Sequence, residues 1–227
     1  MTLVLLQALP LDASMWDGFR DAFDGDVVAP TLYGLGSDIE AWARSIVESL
    51  PDGAVTIVGN SIGGSVAVEM TRMIPDRVGL LVLLGAKPGH RPEPALRARA
   101  LELLATEGIK GAWPEFWEPL FGPSADATTV DRARRIAAAQ PIAAIMRGVD
   151  AFHTRLDREA FLRDWPGRVL VMSGEHDRTP GRGATLAASL RDGHYVEVAD
   201  AGHYLPLEAA GAVVAAVRRA LAERPTR

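Results

Sequence analysis

Apolar residues along the chain fall into short runs, each followed by a longer stretch where they recur at helical spacing. Leu3 to Leu6 predicts a strand, and Ser14 to Phe23 a helix with Ser14 as candidate N-cap. Asp26 to Ala29 predicts a short strand. Ser37 to Leu50 predicts a helix, with Ser37 and Glu40 in a capping-box pattern. Ala54 to Val58 is the next predicted strand, and Ile62 to Ile74 a helix that stops before Pro75. Val78 to Leu84 is nearly all apolar, as in a strand covered on both faces.

The alternation then breaks. From Lys87 to about Arg163 there are only helical patterns divided by Pro and Gly. Arg168 to Ser173, Gly183 to Leu190, Tyr195 to Val198 and Leu207 to Ala222 resume as strand, helix, strand and helix. Strands alternating with helices imply a parallel sheet with helices on both faces. The irregular middle is expected to be a helical insert at 87–163, between core segments 1–86 and 164–227. No repeat or linker composition divides the chain further.

Composition narrows the function classes. The 227 residues suffice for one well-buried domain, and 48% hydrophobic with 23% charged residues is ordinary globular usage. A net charge of −5 argues against nucleic-acid binding, and the one basic run, RARR at 132–135, suits a solvated helix face. With no cysteine, disulfides, thiolate metal sites and a cysteine nucleophile are excluded. The apolar start lacks a basic leader region and is interrupted by Gln7 and Pro10, and no run reaches membrane-span length. A soluble cytoplasmic protein, monomeric or homodimeric, with neither nucleic acid nor membrane as partner, is expected.

Chemistry enters at Gly59-Asn60-Ser61-Ile62-Gly63, a G-x-S-x-G pattern between a predicted strand and a predicted helix. A serine on so sharp a turn needs small neighbours, because the flanking chains pass closely. The turn would present the hydroxyl to open space and set the Ile62 N–H at a helix N-terminus, ready for an oxyanion. A serine nucleophile needs a base, and the base an orienting carboxylate. Of five histidines, His203 alone sits in a loop (DAGHYLPLE) between a strand's carboxyl end and the last helix. Asp177, in SGEHDRTP beyond the Arg168 to Ser173 strand, is preferred over Glu175 as the acid. The stretch after Leu84, Gly85-Ala86-Lys87, offers none. The order Ser61, Asp177, His203 matches one serine-hydrolase architecture and differs from two others.

With these motifs the chain resembles the α/β-hydrolase fold family, in its small members with a helical cap. The stretches that carry the resemblance are GNSIGG, PDRVGLLVLL, VLVMSGEHDRTP and AGHYLPLE, with VVAPTLYGLGSD similar to the family's strand-then-loop segment. Members usually begin with an antiparallel strand pair, for which Leu3 to Leu6 leaves no room. Six parallel strands in the order 2-1-3-4-5-6 are therefore expected. The family's first parallel strand ends in His-Gly, and the next residue gives a second oxyanion N–H. Here Gln7-Ala8 stands in that place, so Leu9 would be the donor, and the Gln7 amide, able to donate and accept, would brace the loop.

Trp113, Trp117 and Phe121 of WPEFWEPLF, with Trp16 and Met146, are candidates for an apolar substrate pocket. Arg147 and Arg155 would meet a substrate carboxylate or form surface ion pairs. The resemblance implies a serine hydrolase acting on a small ester, lactone or thioester, with no cofactor or metal. Carbon–carbon bond hydrolysis or lysis on the same triad stays open, as does a non-catalytic ligand-binding protein.

Overall fold

The structure, a computed structural model, describes residues 1–90, 92–178 and 183–223. Its centre is a six-stranded sheet in the order β2-β1-β3-β4-β5-β6, every neighbouring pair parallel. The strands are β1 (Thr2–Leu6), β2 (Val27–Val28), β3 (Val55–Asn60), β4 (Val78–Leu84), β5 (Arg168–Gly174) and β6 (Asp192–Val198). β1 and β3 are buried at every position, which is why they are unbroken apolar runs rather than alternating ones. The chain moves outward from β1 to β2 and then returns past β1 to β3. Open α/β sheets bind ligands at such a reversal, beyond the carboxyl ends of the strands on either side of it, here β1 and β3.

The helices are α1 (Asp17–Arg20), α2 (Ile39–Ser49), α3 (Ile62–Met73), α4 (Pro94–Ala112, broken at Gly108), α5 (Ala127–Ala139), α6 (Ile142–Thr154), α7 (Glu159–Asp164), α8 (Gly183–Ser189), α9 (Leu205–Glu208) and α10 (Ala210–Ala222). Between β4 and β5 the described residues form helices and turns alone, including a π-helical turn at Trp113–Trp117. No helix among the described residues is long and apolar enough to cross a membrane.

The structure moves several predicted boundaries, each for a local reason. Asp12, rather than Ser14, caps the first helical turn: its carboxylate accepts from the Ser14 N–H and hydroxyl. That earlier start gives a 3₁₀ turn at Ala13–Trp16 and only one α turn after it, so the helix does not reach Phe23. Asp38, rather than Ser37, caps α2 by accepting from the Ala41 N–H, so the Ser37–Glu40 capping box does not form. β6 begins at Asp192 instead of Tyr195 because its ladder with β5 continues through Gly193. A side chain at Gly193 would overlap the Ala187 carbonyl of α8, so glycine here admits a close helix rather than ending the strand. The predicted final helix divides into α9 and α10 at Ala209 (φ −145°, ψ 44°).

One buried charge ties the segment before α7 to α3. Glu69 of α3 has 2% of its side chain exposed and accepts from Arg158 (2.6 Å) and Arg72 (2.8 Å). Burial alone would raise the Glu69 carboxyl, but hydrogen bonds from Arg158 and Arg72 outweigh it and hold the group below its ordinary value. A lowered folded-state value means the stabilisation is complete above the unfolded value, about 4.3, and is lost as pH falls through the folded one. Glu69→Gln is expected to lower unfolding stability by about 2 kcal/mol at neutral pH. This is less than a fully buried pair would lose, because both arginines are partly exposed. The gap to wild type should narrow in acid. Urea unfolding at several pH values checks this, and a gap constant with pH would refute the ion pair's role.

Candidate active site

β1, β3, β5 and β6 each end at the same edge of the parallel sheet, and each candidate residue lies just past one of those ends. Ser61 follows β3 directly with φ 56° and ψ −116°, a left-handed conformation that a non-glycine residue holds only under constraint. The constraints are visible. The Ser61 N–H donates to the Leu84 carbonyl (2.9 Å), and the Gly64 N–H returns to the Ser61 carbonyl (2.9 Å). A side chain at Gly59 would overlap the Gly63 carbonyl, and one at Gly63 the carbonyl of Leu6. The glycines let the turn close and let α3 rest on β1.

His203 and Asp177 meet. Nδ1 of His203 lies 3.0 Å from Oδ2 of Asp177, with 4% and 2% of the two side chains exposed. The loop carrying His203 is held from several sides. Its N–H donates to the Leu120 carbonyl (2.8 Å), and its carbonyl accepts from Nδ2 of Asn60 (3.0 Å), which also donates to Leu84 (2.8 Å). Asn60, the residue before Ser61, is thus tied directly to His203. Among the described residues no hydrogen bond joins Oγ of Ser61 to the His203 ring. Such bonds often close only around substrate. The Thr179-Pro180 end of the SGEHDRTP motif lies outside the described residues.

Gln7 braces the loop after β1 with both ends of its amide, as its chemistry predicts. Nε2 donates to the Leu11 carbonyl (2.8 Å), and Oε1 accepts from the Leu32 N–H (3.3 Å), with the side chain fully buried. The Tyr204 hydroxyl donates to the Leu9 carbonyl (3.0 Å), so the residue after His203 fixes the loop holding the Leu9 amide. Burial raises the Tyr204 phenol well above its ordinary value, which keeps it a donor. Among the described residues neither the Leu9 nor the Ile62 N–H has a protein acceptor.

The candidate pocket residues are spread unevenly. Phe121 packs on Tyr204 (ring centroids 4.7 Å apart) and so borders the His203 loop, with Trp113 behind it (6.2 Å). Trp117 is buried against Phe116, and Trp16 is wholly buried against Phe19. Met146 is half-buried on α6, whose Gly148 abuts Leu9 and Tyr33. Among the described residues Arg155 forms no surface ion pair. It is buried over the Phe152 ring and donates to the carbonyls of Phe152 and Gly89, whereas Arg147 is exposed.

Three contributors escaped the sequence reading. Gly85 (φ 55°) follows β4 directly, and a side chain there would sit 2.8 Å from both Asp177 Oδ2 and His203 Nδ1. The missing acid after β4 is therefore matched by space reserved for the His–Asp pair. Asn60 and Glu208 are the others; they lie inside GNSIGG and AGHYLPLE, but nothing local in the sequence marks which backbone groups they bind. Outside the pair, the exposed Glu175, His176 and Asp200 bring ligand-type atoms within 4.8 Å of one another, with Glu175 already accepting from the Asp200 N–H.

A model of the family described as "Alpha/beta hydrolase family" matches residues 3–217. The pimeloyl-[acyl-carrier protein] methyl ester esterase of Aromatoleum aromaticum is 36% identical over 103 residues, 41% of each chain, so the match spans under half of that relative. Two solved structures share the fold. A thermophilic esterase from Thermogutta terrifontis superposes with TM-score 0.89 at 24% identity, covering 98% of this chain and 89% of that one. The enol-lactonase from Burkholderia xenovorans LB400 gives 0.86 at 22% identity, covering 98% and 91%.

Proposed function

The chain belongs to the alpha/beta hydrolase family, and we propose that it is a serine hydrolase cleaving a small carboxylic ester, lactone or thioester. The observation that carries this reading is the buried 3.0 Å contact of His203 Nδ1 with Asp177, together with a strained Ser61 at the head of α3. An Nδ1–H donating to Asp177 leaves Nε2 with its lone pair, the form a general base requires. In this mechanism Nε2 takes the Ser61 proton as Oγ attacks the carbonyl carbon. Asp177 stabilises the imidazolium, and the N–H groups of Leu9 and Ile62 hold the oxyanion. His203 returns the proton to the leaving alcohol or thiol, then takes one from water, whose oxygen releases the acyl group from Ser61. The esterase name of the curated relative and the esterase and lactonase titles of the two structures agree with ester chemistry.

Residues 87–163 serve in this reading as a cap over the sheet edge. Phe121 and Trp113 would form its wall beside His203, with Trp16, Trp117 and Met146 around them. The substrate is a small molecule and the enzyme cytoplasmic. A series of p-nitrophenyl esters of increasing acyl length, run beside a ring-fission diketone, tests the reaction class. Turnover of the short esters, with kcat/KM falling as the acyl chain outgrows the pocket, is expected. Turnover of the diketone alone would replace ester cleavage with carbon–carbon hydrolysis.

A further inference from the structure

We infer that Glu208 is the positioning residue for His203, acting through the backbone on both sides of it, and that it ties the 118–122 turn to the same loop. The inference rests on the proposed role of His203. Glu208 ends α9, and its carboxylate turns back over the chain that leads into that helix. Oε2 accepts from the N–H groups of Gly202 (2.9 Å) and Gly122 (2.8 Å), and Oε1 from that of Tyr204 (3.0 Å). The residues immediately before and after His203 are thus held by one side chain. The third donor comes from a segment more than 80 residues away in the sequence.

Three N–H donors onto one carboxylate form charge-assisted hydrogen bonds, stronger than neutral ones. The backbones they join are in close contact. A side chain at Gly202 would overlap the Leu120 carbonyl and the Gly122 nitrogen, and one at Gly122 would lie 2.8 Å from the Asp200 carbonyl. Phe121, between Leu120 and Gly122, is thereby set against the Tyr204 ring. Among the described residues His203 makes the Leu120 and Asn60 backbone bonds, the ring contact to Asp177 and an edge-on contact with the Tyr204 ring. Glu208 adds two fixed points to its loop, the N–H groups on either side of His203. No other acceptor is described for the Gly202, Gly122 and Tyr204 amides.

Glutamine at 208 keeps the shape but has one acceptor oxygen in place of two, and its NH₂ cannot accept. At least one of the three amides is then left facing a donor. Glu208→Gln is expected to lower kcat by about 10- to 100-fold, the scale of a sub-ångström to ångström misplacement of a reacting group. The rate at which a small fluorophosphonate labels Ser61 should fall by a similar factor, since that probe needs the base but little of the pocket. The downfield proton resonance of the His203–Asp177 hydrogen bond should broaden or move, and this readout needs no turnover. Glu208→Asp keeps both oxygens on a shorter stem and should fall between the two. If the glutamine variant does not fold, the aspartate variant carries the same three readouts. A lower Tm with unchanged kcat, labelling rate and resonance would make Glu208 merely structural and overturn the inference. A wild-type protein that never labels, yet loses the resonance on substitution, would sink the hydrolase reading and leave the positioning role standing.

Discussion

Replacing His203 with alanine is expected to lower kcat on a short p-nitrophenyl ester by about 10⁶-fold, with little change in KM. A serine hydroxyl at neutral pH is a poor nucleophile unless its proton is taken as the bond forms, and Nε2 of His203 is the acceptor in the proposed mechanism. The substitution isolates the ring. The loop itself hangs on the His203 N–H, the His203 carbonyl and the Glu208 carboxylate, none of which alanine removes. Circular dichroism should therefore be unchanged while turnover collapses. Asp177→Asn is expected to lose about 10⁴-fold. The asparagine NH₂ facing Nδ1 favours the tautomer with its proton on Nε2, which cannot accept from Ser61. Steady-state kinetics on both purified variants check the pair of values. Activity within tenfold of wild type in the alanine variant would remove His203 from the mechanism.

Much of this site could be read before any coordinates, and the reason is geometric. Parallel strands place their carboxyl ends at one edge, so Ser61, Asp177 and His203, each past a strand, were expected to lie along that edge, where His203 and Asp177 do meet. Elements whose pattern was periodic or continuously apolar, such as β1, β3 and β4, were legible because burial on both faces leaves few residue choices. Local competition was harder to read. Asp12 and Asp38 took the caps predicted for Ser14 and Ser37, since neighbouring short polar side chains can all cap and only the backbone path selects among them.

Contacts between distant segments left the weakest trace. Gly85 resembles any loop glycine until the His203–Asp177 pair is found in the space its missing side chain leaves. Gln7 stands in place of the family's histidine, and its amide was expected to brace the loop. Its two hydrogen bonds, across to Leu32 and within the loop to Leu11, show a brace of different chemistry. Glu208 carries no distinguishing local pattern, because its partners at 122, 202 and 204 are backbone amides and any residue type presents those.

The second large effect concerns Ser61 itself. Its hydroxyl sits on the one residue that the elbow forces to φ 56°, and the Ile62 amide beside it opens α3. A phosphonate is attacked as an ester is, with its P=O oxygen in the place of the oxyanion, so it samples nucleophile, base and amide donors in one step. Ser61→Ala is expected to abolish both this reaction and ester turnover, leaving the residual rate that binding and the oxyanion donors alone provide. Asn60, Gly59 and Gly63 keep the turn in that variant, so its stability should stay close to wild type.

The most direct measurement is intact-mass analysis after incubation with a fluorophosphonate, followed by peptide mapping. The account predicts one adduct per chain, on the peptide containing Ser61, absent from Ser61→Ala and slowed in His203→Ala. A folded wild-type protein that takes up no adduct, or takes it up on a residue other than Ser61, would contradict it.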